Sequence, residues 1–247
     1  MQIIAPGHLA IASVLALATS TCADNNTSIY VEAVLLLSPP SCEVTADPGS
    51  TQLLRGTLDV AFLRSYEAAL LVANQLTPRG DKEQLRAETQ GIQLRGAEVQ
   101  LSTADGALLD EFSVPTGGFV HPSDSQAPGY GTALVTVIPP ARGQAFFEAL
   151  SAGARGEVRT VVASVRVFGE TSGGIEVTSG AFTFPIDVCF GCLVEFPLEA
   201  IEDTGNGRVC SGAADGVTTS QCLRGQDQKI DCRTCASTMA LCAQLDN

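Results

Sequence analysis

The alternation of apolar and polar positions divides the chain into four stretches. Residues 9–18, Leu-Ala-Ile-Ala-Ser-Val-Leu-Ala-Leu-Ala, form an apolar run interrupted by Ser13 alone. Residues 22–27 are short and mainly polar. From 28 to 188, brief apolar segments recur at period two between Gly, Pro, Asn and Asp, the signature of half-buried strands and turns. From 189 to 247 the alternation fades, and Cys, Gly, Asp and Ser become common.

Within 28–188 the pattern predicts a first strand over Ser28–Leu37, stopped by Pro39-Pro40. A second runs over Thr57–Arg64, with Leu58, Val60 and Phe62 on one face. Tyr66–Leu76 is strongly apolar and ends in turn residues. Ile92 and Leu94 share a face, whereas Val99 and Leu101 take the opposite parity, so the break at Gly96 predicts a bulge or bend. Asp105-Gly106 predicts a hairpin turn between Val99–Leu101 and Ala107–Leu109. Pro115–Gly131 reads as the longest irregular loop of the body and a candidate binding loop. Strands follow at Thr132–Ile138 and Val158–Phe168, a turn at Gly169–Gly174, and a return strand through Phe182, Phe184, Ile186 and Val188. Ala141–Ala152 is the one helical stretch, with Phe146, Phe147 and Leu150 on a shared stripe. The expected fold is mostly β: an antiparallel β-sandwich of immunoglobulin-like type over 28–188, with one short helix and a disulfide-stapled Cys-rich tail over 189–247.

The apolar run continues into Thr19-Ser20-Thr21 and then Cys22. That order reads as a bacterial lipoprotein export signal over 1–21, cut before Cys22, which would carry the lipid, with 22–27 as a tether. The n-region has no Lys or Arg, the first being Arg55. Thr19 and Thr21 stand where such signals usually place Leu and a small residue. Ordinary secretion, with cleavage near Ala18 or Ala23, is therefore the alternative. The run falls short of the roughly 20 residues needed to span a bilayer. Ala23 after the cysteine, rather than Asp, favours the outer membrane.

Charge and composition narrow the function classes. The formal net charge is −13, from 14 Lys and Arg against 27 Asp and Glu, which argues against nucleic acid as a partner. Of the two histidines, His8 lies in the leader, so His121 alone is left for triad chemistry, and multi-histidine zinc sites cannot form. No Gly-rich phosphate loop occurs in a strand-to-helix setting. Asp203–Gly207 lacks calcium-loop spacing and reads as a turn. No catalytic residue, metal or cofactor is assigned.

The nine cysteines carry more information. Setting Cys22 aside leaves Cys42 and seven in the tail: Cys189, Cys192, Cys210, Cys222, Cys232, Cys235 and Cys242. Cys189-Phe-Gly-Cys192 and Cys232-Arg-Thr-Cys235 would suggest zinc in a cytosolic chain, but an exported chain favours disulfides. A thiol-disulfide oxidoreductase is the least favoured reading, because Leu193-Val-Glu-Phe-Pro197 after the first motif does not read as a helix. If Cys22 is acylated and all the others are oxidised, one tail cysteine must bond to Cys42, because seven cannot pair among themselves. Cys189 or Cys192, at the end of the last strand, is the expected partner. Such a bond would be worth about 5 kcal/mol on the chain-entropy model. The connectivity of the other three bridges stays open.

Cys22-Ala-Asp-Asn-Asn, Pro39-Pro-Ser-Cys42, Val167-Phe-Gly-Glu-Thr-Ser-Gly-Gly174, Phe184-Pro-Ile-Asp-Val-Cys-Phe-Gly-Cys192 and Gly225-Gln-Asp-Gln-Lys-Ile-Asp-Cys232 together resemble an uncharacterised family of predicted myxobacterial envelope lipoproteins. The resemblance implies lipidation and export and carries no catalytic residue. Tyr66–Asn74 is more weakly similar to LEA14-like sandwich domains, with Gln75 where a proline is usual there; this implies sandwich fold alone. The expected function is a non-enzymatic envelope lipoprotein, an anchored module that binds or scaffolds an envelope protein or glycan. The alternative is an anchored or secreted hydrolase using a carboxylate pair.

Overall fold

The structure, a computed structural model of the chain, describes residues 28–245 except 125, 154, 206, 214–216 and 218–220. The expected signal, the lipidation site Cys22 and the tether therefore lie outside the described residues.

Ten strands and one helix build the body: β1 (Ile29–Leu35), β2 (Gln52–Leu53), β3 (Gly56–Asp59), β4 (Tyr66–Asn74), β5 (Ile92–Thr103), β6 (Leu108–Val120), β7 (Gly129–Ile138), α1 (Pro140–Leu150), β8 (Val158–Thr171), β9 (Glu176–Thr178) and β10 (Phe182–Cys189). They form two sheets, one ordered β2-β1-β4-β7 and one β3-β10-β8-β5-β6, with β9 added to β8. All pairings are antiparallel except β3 with β10, which is parallel. One core joins the inner faces: Ile29, Val34, Leu70, Val72, Val135 and Val137 from the first sheet meet Leu58, Leu94, Val99, Val165, Phe184 and Ile186 from the second. The mostly β sandwich that the alternation predicts is the observed fold.

The apolar density of β4 has a second cause. Tyr66, Ala68, Leu70 and Val72 face the core between the sheets, while Ala69 and Leu71 join Ala33 and Leu35 on the outer face. Leu37, Val44 and Tyr130 pack over that outer cluster, so both parities of β4 are buried. In β5, the register with both neighbours shifts between Leu94 and Gly96, which is the bulge that the change of parity predicts. The Asp105-Gly106 turn is also present, with Gly106 at φ +91°. The helix occupies Pro140–Leu150 and buries Phe146 and Leu150.

Three expectations about the body need correction. The strand expected over Thr57–Arg64 ends at Asp59. The Asp59 carbonyl accepts from the amides of Phe62 and Leu63, and its carboxylate from that of Ala61, so the chain turns there. The loop expected over Pro115–Gly131 shrinks to 121–128, because β6 runs through Pro115 to Val120 and β7 begins at Gly129. Pro115 is tolerated because β6 is an edge strand and it pairs with Gly96 at the bulge. The glycines serve a close approach instead of a loop. A Cβ on Gly118 would lie 2.3 Å from the Thr132 carbonyl oxygen, and one on Gly131 the same distance from that of Phe119. Here the edge strands of the two sheets meet and close one side of the sandwich. The third is the turn expected over Gly169–Gly174, which narrows to 172–174 because β8 runs on through Thr171 before β9 begins at Glu176.

The tail adds β11 (Val194–Glu195), β12 (Ile201–Asp203), β13 (Arg208–Cys210), β14 (Ile230–Asp231), the single turn α2 (Ala240–Ala243) and β15 (Gln244–Leu245). These make two small sheets, β11-β14 and β12-β13-β15. The tail's own apolar cluster contains Ile230, Cys235 and Cys242. Cysteines supply much of that small core, as expected of a segment too short to bury much else.

Four disulfides join the eight cysteines: Cys42–Cys222, Cys189–Cys192, Cys210–Cys232 and Cys235–Cys242. Cys42 does bond to the tail, but the partner is Cys222 and not Cys189 or Cys192. Those two pair with each other, because Gly191 at φ +77° folds their loop back on itself. The bridges differ in what they constrain. Cys42–Cys222 spans 180 positions and is worth about 5 kcal/mol of unfolded-state entropy. Cys189–Cys192 spans 3 positions and is worth only about 2 kcal/mol by the same relation.

Candidate functional site

Three adjacent strands present a polar array on the outer face of the larger sheet. In β5, Val99 and Leu101 point inward, so Glu98 and Gln100 point outward. In β8, Ala163, Val165 and Val167 are buried, leaving Ser164 and Arg166 on the open side. β6 contributes Glu111 and Ser113. Register sets these side chains in two rows. Ser113, Glu98 and Arg166 lie across the strands in one, and Glu111, Gln100 and Ser164 in the other. Directly opposed side chains of antiparallel strands stand about 5 Å apart at Cβ. The array lines an open hollow of about 470 Å³.

Charge within the hollow is mixed. The Arg166 guanidinium stands opposite Glu98, with Glu111 one step along the neighbouring strand. Among the described residues, none of these three charged groups has a hydrogen-bond or ion-pair partner within the chain. Five guanidinium donors and two carboxylates are thus turned outward within one shallow surface.

The remaining polar concentration is buried where tail meets body. The Asp59 carboxylate accepts from the backbone amides of Gly191 at 2.7 Å, Leu193 at 3.0 Å and Ala61 at 3.0 Å. Burial pushes its pKa up, against those amides and the nearby Arg155 guanidinium, which pull it down. Asp227 accepts from the Thr57 amide at 2.7 Å and the Tyr66 hydroxyl at 2.7 Å. Its pKa is also raised by burial, again opposed by its donors. Gln226 acts as a piece of strand. Its side-chain oxygen accepts from the Glu67 amide at 2.9 Å, and its side-chain nitrogen donates to the Glu67 carbonyl at 2.8 Å. The main chain of 225–227 exchanges further bonds with Thr57 and Asp59.

The expected site residues divide between these regions. Cys189 and Cys192 lie against Asp59, with the two sulfurs and a carboxylate oxygen all within 4.8 Å of one another. With the sulfurs bonded to each other, that group offers a cation only the carboxylate. Cys222 stands four positions before Gln226 and ties this joint to Cys42. Cys210, Cys232, Cys235 and Cys242 are confined to the tail. His121 is exposed on the short 121–128 loop, its ring edge-on to Phe119 at 5.1 Å.

The sequence reading missed the polar array and the role of Asp59. The array was legible in principle: Glu98, Gln100, Ser164 and Arg166 occupy the outward parity of recognised strands. Which strands lie side by side was not. Asp59 sat in a stretch read as continuous strand, where a turn-forming carboxylate had no place.

No protein-family model matches the chain, and no curated protein matches it significantly. The functional reading therefore rests on the residues themselves.

Proposed function

We propose that this chain is a non-enzymatic envelope lipoprotein, anchored at Cys22, whose β-sandwich binds an envelope glycan in the polar hollow of β6, β5 and β8. The observation that carries this reading is the two-row array of Ser113, Glu98, Arg166, Glu111, Gln100 and Ser164. Its charged groups keep their hydrogen-bonding capacity for a ligand. Hydroxyl-rich and carboxylate-bearing chains match such a surface, since Arg166 can grip a carboxylate and the glutamates can accept from hydroxyls. The disulfides suit an oxidising compartment.

A hydrolase using a carboxylate pair needs one carboxyl raised toward neutrality in an open cleft. The two carboxyls raised by burial, Asp59 and Asp227, are instead enclosed at the tail joint, Asp59 by backbone amides and Asp227 by the Thr57 amide, the Tyr66 hydroxyl and the Gln226 side chain. That favours binding over hydrolysis.

Two measurements test the reading. Wild-type protein should fractionate with membranes and carry lipid on Cys22, and Cys22→Ser should not; an unmodified Cys22 thiol in mature protein overturns the anchor. Wild-type protein should co-sediment with isolated envelope polysaccharide, and the double variant Glu98→Ala, Arg166→Ala should bind at least roughly tenfold less, as for lost charge-assisted contacts. Equal binding by both proteins overturns the assignment of the hollow.

A further inference from the structure

The four disulfides are not equivalent in their surroundings. Cys42–Cys222, Cys210–Cys232 and Cys235–Cys242 join segments 180, 22 and 7 positions apart. Cys189–Cys192 joins the two ends of a four-residue loop whose path is already fixed by other bonds. Asp59 accepts from Gly191 inside the loop and from Leu193 just beyond it. On the near side, the Val60 amide donates to the Cys189 carbonyl at 2.8 Å, and β3 pairs with β10 through Cys189 itself. These bonds hold the loop independently of its sulfurs.

The two cysteines differ in access: Cys189 is fully buried, whereas Cys192 is partly exposed. Both lie close to the Asp59 carboxylate. One cation is also close: a Cβ on Gly191 would lie 3.5 Å from the Arg155 side chain, whose charge acts on Asp59 as well. Positive charge near a cysteine favours its thiolate. The chain continues into β11, so no helix N-terminus acts on these sulfurs.

We propose that Cys189–Cys192 is an exchangeable disulfide, reduced by a dithiol that attacks Cys192, with Asp59 as proton donor to the buried Cys189. The thiolate of the dithiol forms a bond to the Cys192 sulfur as the Cys189–Cys192 bond breaks. The electron pair leaves on Cys189, which takes a proton from the Asp59 carboxyl. The second thiol of the reductant then attacks its own sulfur in the mixed disulfide and releases Cys192. The reductant ends as a disulfide, and its two protons end on the protein, one restoring Asp59 and one on Cys192. Two electrons pass from the dithiol to this bridge, and the other three hold the fold.

The full-length oxidised protein, pulsed with dithiothreitol, alkylated and mapped by mass spectrometry, tests this. Cys189–Cys192 should open at least roughly tenfold faster than each other bridge, with the circular dichroism unchanged. Opening no faster than the others, or together with loss of the β signal, overturns the proposal. In Cys189→Ser, the Cys192 thiol should form a mixed disulfide with an added disulfide reagent quickly; in Cys192→Ser, the Cys189 thiol should react slowly. The reverse order assigns the attack to the wrong sulfur. Asp59→Asn should slow opening, and the wild-type to variant rate ratio should fall as pH rises, because Asp59 donates only while protonated. Arg155 and Arg64, the cations facing Asp59, are unchanged in that comparison. A ratio independent of pH removes Asp59 from the proton path. Should Asp59→Asn not fold, the order of bridge opening and the two cysteine variants still decide the exchange.

Discussion

The Tyr66 hydroxyl donates a 2.7 Å hydrogen bond to the Asp227 carboxylate across 161 positions of sequence. Tyr66 begins β4 and is fully buried in the sandwich core; Asp227 belongs to the tail. This bond and the Gln226 clasp on Glu67 join the stapled tail to the body through polar groups set against a hydrophobic core. Burial, reinforced by the Asp227 charge and hydrogen bond, drives the Tyr66 phenol far above its ordinary range.

Tyr66→Phe keeps the ring and removes only the hydroxyl, leaving the Asp227 carboxylate short of a donor. The expected loss is about 1.5–3 kcal/mol, the usual range for a hydrogen bond to a charged group. Urea unfolding at neutral pH reads it, as a lower midpoint at unchanged slope.

The stability contribution of Asp227 depends on pH with a definite sign. Its folded pKa is raised by burial, so the folded state holds the proton more tightly than the unfolded chain. The associated stability is fully present below the unfolded value and is lost as pH rises through the folded one. Asn at this position does not titrate. Thermal midpoints of wild type and Asp227→Asn, followed upward from about pH 4, should shift in the variant's favour as pH rises and level off once the folded carboxyl has ionised. A shift the other way would mean that the donors outweigh burial.

Cys42→Ala should leave Cys222 as the one newly free thiol, detected by alkylation without reduction. It opens the longest closed loop, and chain entropy sets an upper loss of about 5 kcal/mol. Residual structure in the unfolded chain lowers that figure. A loss comparable to that of Cys189→Ala together with Cys192→Ala, which opens a loop worth about 2 kcal/mol, would show that loop length does not govern these bridges.

Gly131→Ala tests the closed corner of the sandwich. The added Cβ would meet the Phe119 carbonyl oxygen at 2.3 Å, which forces β6 and β7 apart. The expected cost is about 1–3 kcal/mol, typical of overpacking. Gly117→Ala, where the Cβ meets nothing within 4 Å, is the control and should be close to neutral in a chemical denaturation series.

How much of this was legible in the sequence follows from what each feature depends on. The β5 bulge was readable because a parity change between Leu94 and Val99 is local. The helix was readable from Pro139-Pro140 and the Phe146–Leu150 stripe. The reach of Cys42 into the tail followed from an odd count of tail cysteines. Its partner did not, because Cys222 is brought there by Gln226 and Asp227 docking on β3 and β4, and pairing over 160 positions leaves no local mark. The stretch over Pro115–Gly131 misled for a related reason. Glycines that admit a neighbouring strand look, in one dimension, like glycines that make a loop. The polar array was invisible for want of strand order, although Glu98, Gln100, Ser164 and Arg166 sat at the outward parity of recognised strands.

The Gln226–Asp227 clasp also bears on the order of synthesis. Strands β3 and β4 take their last partners from residues that leave the ribosome some 160 positions later, and Cys42 waits still longer in sequence for Cys222. A nascent chain can assemble much of the sandwich yet cannot finish it until its own C-terminal region arrives. A product broken off before Cys222 would expose an unpaired strand end, a buried tyrosine without its acceptor and a free thiol. The closing of the sandwich is therefore the last event along the chain: its first strands and Cys42 take their final partners only once residues 222–227 are in place.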